Sequence, residues 1–395
     1  MRGPMLLFSR NAWLFLLSNG LGFFGYAIFL LLLNLYLAKC GLSKEVIAWV
    51  NAAISLAGGL LSLPLSALYD RISRKIALFA FTLLQGLFTL LLLSFQEPIL
   101  LVGSAFLIGA SFTVYMVLAS PFMMENAAPE QRIALFSANY GILYITGLAG
   151  NALGGFLPSW LGGIFGLAGE VEGLRAGLAA AAILLSLAAI PFLFLKSYRH
   201  KRLPSGKTPG SRLKFPKSAW MFLLAMLVIS LGAGSFVPFL NLFFSSRQFS
   251  TGEIGLIFTL GSAVNVIMTP LAPLLARWLG KLRGVISTLL ASVPFLVSMA
   301  FVQQPALLIG AYVSRQTMVN LGQPLLDQYS MELVPDAGRA HYAALLTSIR
   351  TLAWAFTAPL AGLVMQSFGF SWLFLGAAVM YLIGCFILWR FCSRN

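Results

Sequence analysis

The chain has 395 residues, of which 59% are hydrophobic and only 9% are Asp, Glu, Lys or Arg, with a net charge of +15. A soluble domain carries about 25% charged residues, so these charges cannot cover a water-facing surface. Soluble enzymes, disordered chains and secreted disulfide scaffolds are excluded.

A membrane-spanning helix needs about 20 mostly apolar residues. Twelve such runs can be laid down, over 12–38, 46–68, 76–95, 99–122, 134–157, 174–196, 219–244, 254–276, 284–302, 306–329, 340–366 and 371–389. The reading is an all-α polytopic membrane protein. With the N-terminus inside, 20 of the 26 Lys and Arg fall in inside segments, and four (Lys39, Lys44, Arg175, Arg247) fall outside. That asymmetry follows the positive-inside rule and puts both termini in the cytoplasm, in the inner membrane. It also accounts for the net charge without a nucleic-acid partner. The first apolar run is too long for a cleavable signal peptide and lacks a small-residue cleavage site, so it reads as a retained anchor.

Lys196 to Lys217 holds eight basic residues and no acidic one, with Pro and Gly scattered through it. Such a segment is a solvated tether. It separates a bundle at 1–196 from a second bundle at 219–395, with the linker at 197–218. The two bundles repeat each other at a fixed offset of 207 residues. Asn34-Leu35-Tyr36 falls on Asn241-Leu242-Phe243, Gln96-Glu97-Pro98 on Gln303-Gln304-Pro305, and Met124-Glu125 on Met331-Glu332. Arg132 falls on Arg339 and Gly155 on Gly362. Parallel repeats of this kind mark transporters, which bind substrate where the halves meet.

The loop after span 2 reads Ser66-Ala67-Leu68-Tyr69-Asp70-Arg71-Ile72-Ser73-Arg74-Lys75. It resembles the signature of the major facilitator superfamily, Gly-x-x-x-Asp-Arg-x-Gly-Arg-Arg/Lys, with both glycines replaced by serine. After span 8 the copy is eroded: Arg277 stands for the Asp, while Gly280 and Lys281 persist. The resemblance implies two pseudo-symmetric six-helix bundles and a gating role for Asp70, Arg71, Arg74 and Lys75. Glu125 with Arg132, and Glu332 with Arg339, are expected as similar pairs at equivalent places. Span 5 ends in Gly150-Asn151-Ala152-Leu153-Gly154-Gly155, similar to the family's antiporter motif with Asn151 for Pro. Small residues at this spacing let helices approach closely. Span 4 has Ala105 where proton-coupled exporters of the family often carry Arg.

Charges inside a membrane are costly, so each marks a functional candidate. Arg315 on span 10 and Arg350 on span 11 both lie about 13–15 Å deep at 1.5 Å per residue, with no acidic residue expected at that depth. Gln316, Asn320, Gln323 and Asp327 recur on one face of span 10; Thr347, Arg350, Trp354 and Thr357 share a face of span 11. A cation–π contact from Arg350 to Trp354 is expected. By resemblance, spans 1, 4, 7 and 10 line the path, to which the first half contributes Asn19, Thr113, Tyr115, Asn139, Tyr140 and Tyr144. Asp327 is the one carboxylate well within a span and thus the candidate proton carrier.

The three cysteines (Cys40, Cys385, Cys392) and two histidines (His200, His341) make neither a disulfide framework nor a metal cluster. No cofactor, metal or enzymatic chemistry is expected. The expected function is secondary transport of a small organic solute by a monomer, with drug-like, proton-coupled export as the leading reading. The alternatives are an organic-anion carrier or exchanger using Arg315 and Arg350, and a flippase for a lipid-linked substrate.

Overall fold

Without water to hydrogen-bond it, a chain crossing hydrocarbon must satisfy its backbone within helices or a closed barrel. Here the described elements are helical. The structure is a computed structural model and describes residues 8–68, 73–128, 131–167, 169–196, 215–268, 271–335 and 339–392. The first half runs α1 (Arg10–Lys39), α2 (Lys44–Leu68), α3 (Arg74–Leu92), α4 (Pro98–Glu125), α5 (Arg132–Phe165) and α6 (Glu170–Leu193). The second runs α7 (Lys217–Ser246), α8 (Thr251–Met268), α9 (Lys281–Phe301), α10 (Pro305–Glu332), α11 (Arg339–Ser367) and α12 (Phe370–Cys392).

Among the described residues, 11 helices are long and apolar enough to cross a membrane. The helix of matching position outside that set is α10. It has the length, 28 residues, but carries Arg315, Gln316, Asn320, Gln323 and Asp327. Span 8, expected at 254–276, is described as helix over Thr251–Met268 and over Ala272–Leu279. Helix α7 tightens into a 3-10 turn at Val237–Phe239, where Pro238 has no N–H to continue the α-helical ladder.

The chain divides into two compact units, one of Met1–Cys40 with Leu60–Gly210 and one of Gly41–Gly59 with Ser211–Asn395. This division differs from a cut at the linker in assigning the first part of α2 to the second unit. Close packing explains it. A Cβ on Gly362 of α11 would come within 2.6 Å of the Ala48 Cβ, and the Lys44 Nζ donates to the Met365 carbonyl at 3.1 Å.

Inside the first unit, α1 packs on α5 and α6, and α3 packs on α4 and α6. The second unit repeats all four pairings six helices later: α7 on α11 and α12, α9 on α10 and α12. The repeated Pro98 and Pro305 each open a helix, where the fixed φ of proline suits the first turn and its missing N–H costs nothing. Each unit has its own apolar core, one around Phe15, Leu78, Phe122 and Phe192, the other around Phe222, Leu326, Tyr342 and Leu388.

The glycines of α5 act through packing. A Cβ on Gly150 would lie 2.7 Å from the Ala27 Cβ and 2.8 Å from the Phe24 carbonyl oxygen; on Gly154 it would lie 3.0 Å from Ile28. The backbones of α1 and α5 are therefore in near contact. By contrast, nothing lies within 4 Å of a Cβ on Gly162 of the same helix. Gly150→Ala should lower the thermal unfolding temperature of the detergent-purified protein, as an overpacked core does at about 1–3 kcal/mol. Gly162→Ala should leave it unchanged or raise it slightly, since Ala is the better helix former.

Candidate functional site

In the first unit, three predicted residues converge. Asn19 of α1 is 3% exposed, and Asn139 of α5 and Tyr115 of α4 are 7% exposed. The Asn19 Nδ2 donates to the Asn139 Oδ1, and the Tyr115 hydroxyl donates to the Asn19 Oδ1. The chain of bonds ties α1, α4 and α5 together, and Phe15 stacks on the Tyr115 ring at 6.1 Å. Thr113 turns its hydroxyl onto the Gly109 carbonyl of its own helix at 2.7 Å. Tyr140 and Tyr144 are exposed and lie outside this network.

Beside Asn19 and Tyr115 lies a cavity of about 20 Å³ between α1, α3 and α4. Its walls include Tyr26 and Phe112, stacked at 4.6 Å, and the buried α3 side chains Thr82 and Gln85. Those two were not among the sequence candidates. A signal for them exists: Thr82, Gln85 and Thr89 recur at i, i+3 and i+7, one polar face in an apolar span.

In the second unit, Arg315 is 3% exposed. Its Nη2 donates to the Tyr381 hydroxyl oxygen at 2.6 Å and its Nη1 to the Gln316 Oε1 at 3.2 Å. The guanidinium lies 4.7 Å from the Phe236 ring centroid and 5.8 Å from that of Tyr381. Its Nε is buried without a hydrogen-bond partner, and among the described residues no carboxylate pairs with it. Aromatic faces and one phenol thus hold the cation. Tyr381 and Phe236 escaped the sequence reading because an aromatic in an apolar span carries no mark of its partner.

Arg350 differs. It is exposed. The expectation of two arginines in one setting is therefore corrected: Arg315 is enclosed by aromatics, whereas Arg350 is not buried. The Asp327 carboxylate accepts a hydrogen bond from the Gln323 Nε2 at 2.8 Å. Nor do Arg350 and Trp354 form the expected pair. Among the described residues the cation–π contacts fall on Lys44, Arg247, Arg315 and Arg390, and Trp354 packs on Gly234 of α7, whose Cβ would meet it at 2.9 Å. Asn320 donates to the Gln316 carbonyl at 3.0 Å, and the stripe Gln316, Asn320 and Gln323 is half-buried.

The two polar centres are not copies. At the offset of 207, Asn19, Tyr115 and Asn139 correspond to Met226, Gly322 and Leu346, while Arg315 and Tyr381 correspond to Ile108 and Leu174. The repeated feature is instead an ion pair at the helix ends. Arg74 at the start of α3 holds Glu125 at the end of α4 at 2.6 Å; Lys281 at the start of α9 holds Glu332 at the end of α10. Both members map onto each other at the same offset. Glu125 was expected on Arg132, but Arg74 is its observed partner, since α3 and α4 pack side by side. Lys281 likewise stands where Arg339 was expected, and the Arg339 side chain lies outside the described residues. Lys75 donates to the Leu195 carbonyl at 3.1 Å. Asp70 and Arg71 lie outside the described residues.

This architecture defines a multi-pass membrane protein with the helix repeat of a transporter. The family model described as Major Facilitator Superfamily matches residues 15–358, and the chain belongs to that family. It is 30% identical over 269 residues to the Multidrug resistance protein MdtG of Dickeya zeae (strain Ech586), covering 63% of this chain and 62% of that one. It is 28% identical over 242 residues to the uncharacterized MFS-type transporter YhhS of Escherichia coli (strain K12), covering 59% of this chain and 56% of that one. The chain thus matches a little over half the length of these curated relatives. Among solved structures, it resembles a bacterial homologue of the lysosomal transporter Spinster (TM-score 0.80, 13% identity, 97% and 96% covered). It also resembles a bacterial homologue of the iron transporter ferroportin (TM-score 0.79, 17% identity, 98% and 99% covered). These two share the fold.

If the Arg315–Tyr381 bond holds the buried cation, Tyr381→Phe should destabilise the protein by about 1.5–3 kcal/mol, as for a lost hydrogen bond to a charged group. Combined with Arg315→Met, the two substitutions should be clearly non-additive in a double-mutant cycle of thermal unfolding.

Proposed function

We propose that this chain is a secondary active transporter that exports a small, drug-like organic solute across the inner membrane. It works by alternating access as a monomer with both termini in the cytoplasm, and Asp327 carries the coupling proton. The observation that carries this reading is α10, whose apolar character is broken by a stripe of Gln316, Asn320, Gln323 and Asp327. A polar face at membrane depth needs protein or water against it. Gln316, Asn320 and Gln323 are the proposed substrate contacts, with Arg350 and Trp354 on α11. Asn19, Tyr115, Asn139 and Tyr144 serve in the first unit. Asp327 is the proposed proton carrier because it is the carboxylate of that stripe, exposed and in hydrogen-bond contact with Gln323. The direction of transport is supported by the relative named as a multidrug resistance protein. Asp70, Arg71, Arg74 and Lys75, with Glu125, Arg132, Glu332 and Arg339, are the proposed gating residues.

A second reading, an organic-anion carrier, is favoured by Arg315, whose Nε is unpaired and whose charge has no carboxylate partner among the described residues. Its guanidinium fork suits carboxylate and phosphate.

Proteoliposomes with an imposed pH gradient separate these readings. With ethidium as probe, Asp327→Asn should abolish concentrative uptake while leaving exchange down the gradient intact. Full accumulation by that variant would remove Asp327 as the proton carrier. With benzoate as probe, Arg315→Gln should weaken binding by about 1.5–3 kcal/mol on the anion reading. An unchanged benzoate response leaves export as the reading.

A further inference from the structure

The cavity beside Asn19 contains polar atoms that the rest of the fold leaves unused. Among the described residues five threonines are buried, at positions 82, 89, 113, 288 and 317. Four of them donate to a carbonyl one turn back on their own helix: Thr89 to Gln85, Thr113 to Gly109, Thr288 to Val285 and Thr317 to Val313. That bond is the ordinary way for a hydroxyl to be satisfied inside an apolar bundle. Thr82 is the exception. Its Oγ1 is buried with no partner, and so is the Nε2 of Gln85 one turn away; both side chains are 4% exposed and line the cavity.

Leaving a buried donor unmade costs about 1–3 kcal/mol, and here the two residues that carry such donors line one space. The space holds one small atom. About 20 Å³ exceeds the roughly 10–15 Å³ that a single water requires. The Gln85 amide can only donate from Nε2, and the Thr82 hydroxyl can donate or accept, so the occupant must present an acceptor. No charged side chain lines the cavity, and the remaining walls are aromatic, with Tyr26 stacked on Phe112. A charged group would be stranded there, whereas a neutral oxygen would be satisfied.

We propose that this cavity is a binding site for one neutral oxygen, bonded by Gln85 Nε2 and Thr82 Oγ1. The oxygen comes from a hydroxyl or carbonyl of a neutral aromatic solute or, between solutes, from a water. The solute arm rests on the transport reading above; its planar body would lie against the half-buried rings of Phe23 and Phe112. The site is specific to the first unit. At the offset of 207, Thr82 and Gln85 become Leu289 and Ser292, and Ser292 satisfies its hydroxyl on the Leu289 carbonyl at 2.6 Å.

The test uses the full chain in detergent, with Thr82→Val and Gln85→Leu as near-isosteric apolar replacements and Thr82→Ser as the variant that keeps the hydroxyl. The first arm is thermal unfolding without solute. If a water occupies the site, Thr82→Val and Gln85→Leu lower the unfolding temperature and Thr82→Ser does not. If the pocket is dry, removing an unmade donor leaves the temperature unchanged or raises it. The second arm compares 4-phenylphenol with biphenyl, which differ by one hydroxyl. If the solute supplies the oxygen, 4-phenylphenol stabilises the wild type more than biphenyl does. That difference disappears in both apolar variants, corresponding to about tenfold weaker binding of the phenol. Either arm supports the site and identifies the source of the oxygen. Unfolding temperatures at or above wild type, together with an unchanged response to the two probes, would overturn it. Should Gln85→Leu fail to fold, Thr82→Val against Thr82→Ser carries both arms. The readout is stability and binding, not flux, so its failure leaves the transport reading standing.

Discussion

The hydrocarbon interior offers no water to polar groups, and the rest of this structure depends on that constraint. It closes the backbone into helices, and it makes every side-chain donor left without a partner costly. Most hydroxyls comply locally by bonding back to their own helix. The groups too long or too charged to do so have been collected into a few places. Arg315 is the extreme case: a full charge held by a phenol oxygen, an amide oxygen and two aromatic faces. Such an arrangement tolerates the charge without neutralising it, and an electrostatic demand persists at that point in the second unit.

Duplication supplies the scaffold and divergence supplies the chemistry. The four helix pairings of the first unit recur in the second, and so does the ion pair that ties the start of one helix to the end of the next. Packing and end-tying are demands that both copies face equally, so both retain the same solution. The buried polar centres follow the opposite rule. Each occupies positions that are apolar or glycine in the other copy, as with Arg315 against Ile108 and Asn19 against Met226. The two units therefore differ in chemistry, one with an amide-and-hydroxyl centre and the other with a cationic one.

Much of this was legible in the residues alone. Apolar runs of about 20 residues determine helices in a membrane because no other backbone arrangement is satisfied there without closure into a barrel. The offset of 207 survives because paired prolines, acids and bases sit at helix ends, where each performs the same local task. Asn19, Tyr115, Asn139 and Arg315 stood out because polar side chains are rare and expensive in such runs. The partners did not stand out. Glu125 looked toward Arg132, seven residues along the chain, yet Arg74 holds it, because only the packing of α3 on α4 brings those ends together. Tyr381 and Phe236 are unremarkable as aromatics in an apolar span until the fold lays them against a guanidinium. Thr82 and Gln85 carry a periodic signal, but their unmade bonds exist only once three helices enclose them. Sequence alone determined which residues must be satisfied, since that follows from their chemistry and the solvent. Tertiary structure decided who satisfies them, since that depends on which helix faces lie within about 3 Å, the reach of a hydrogen bond.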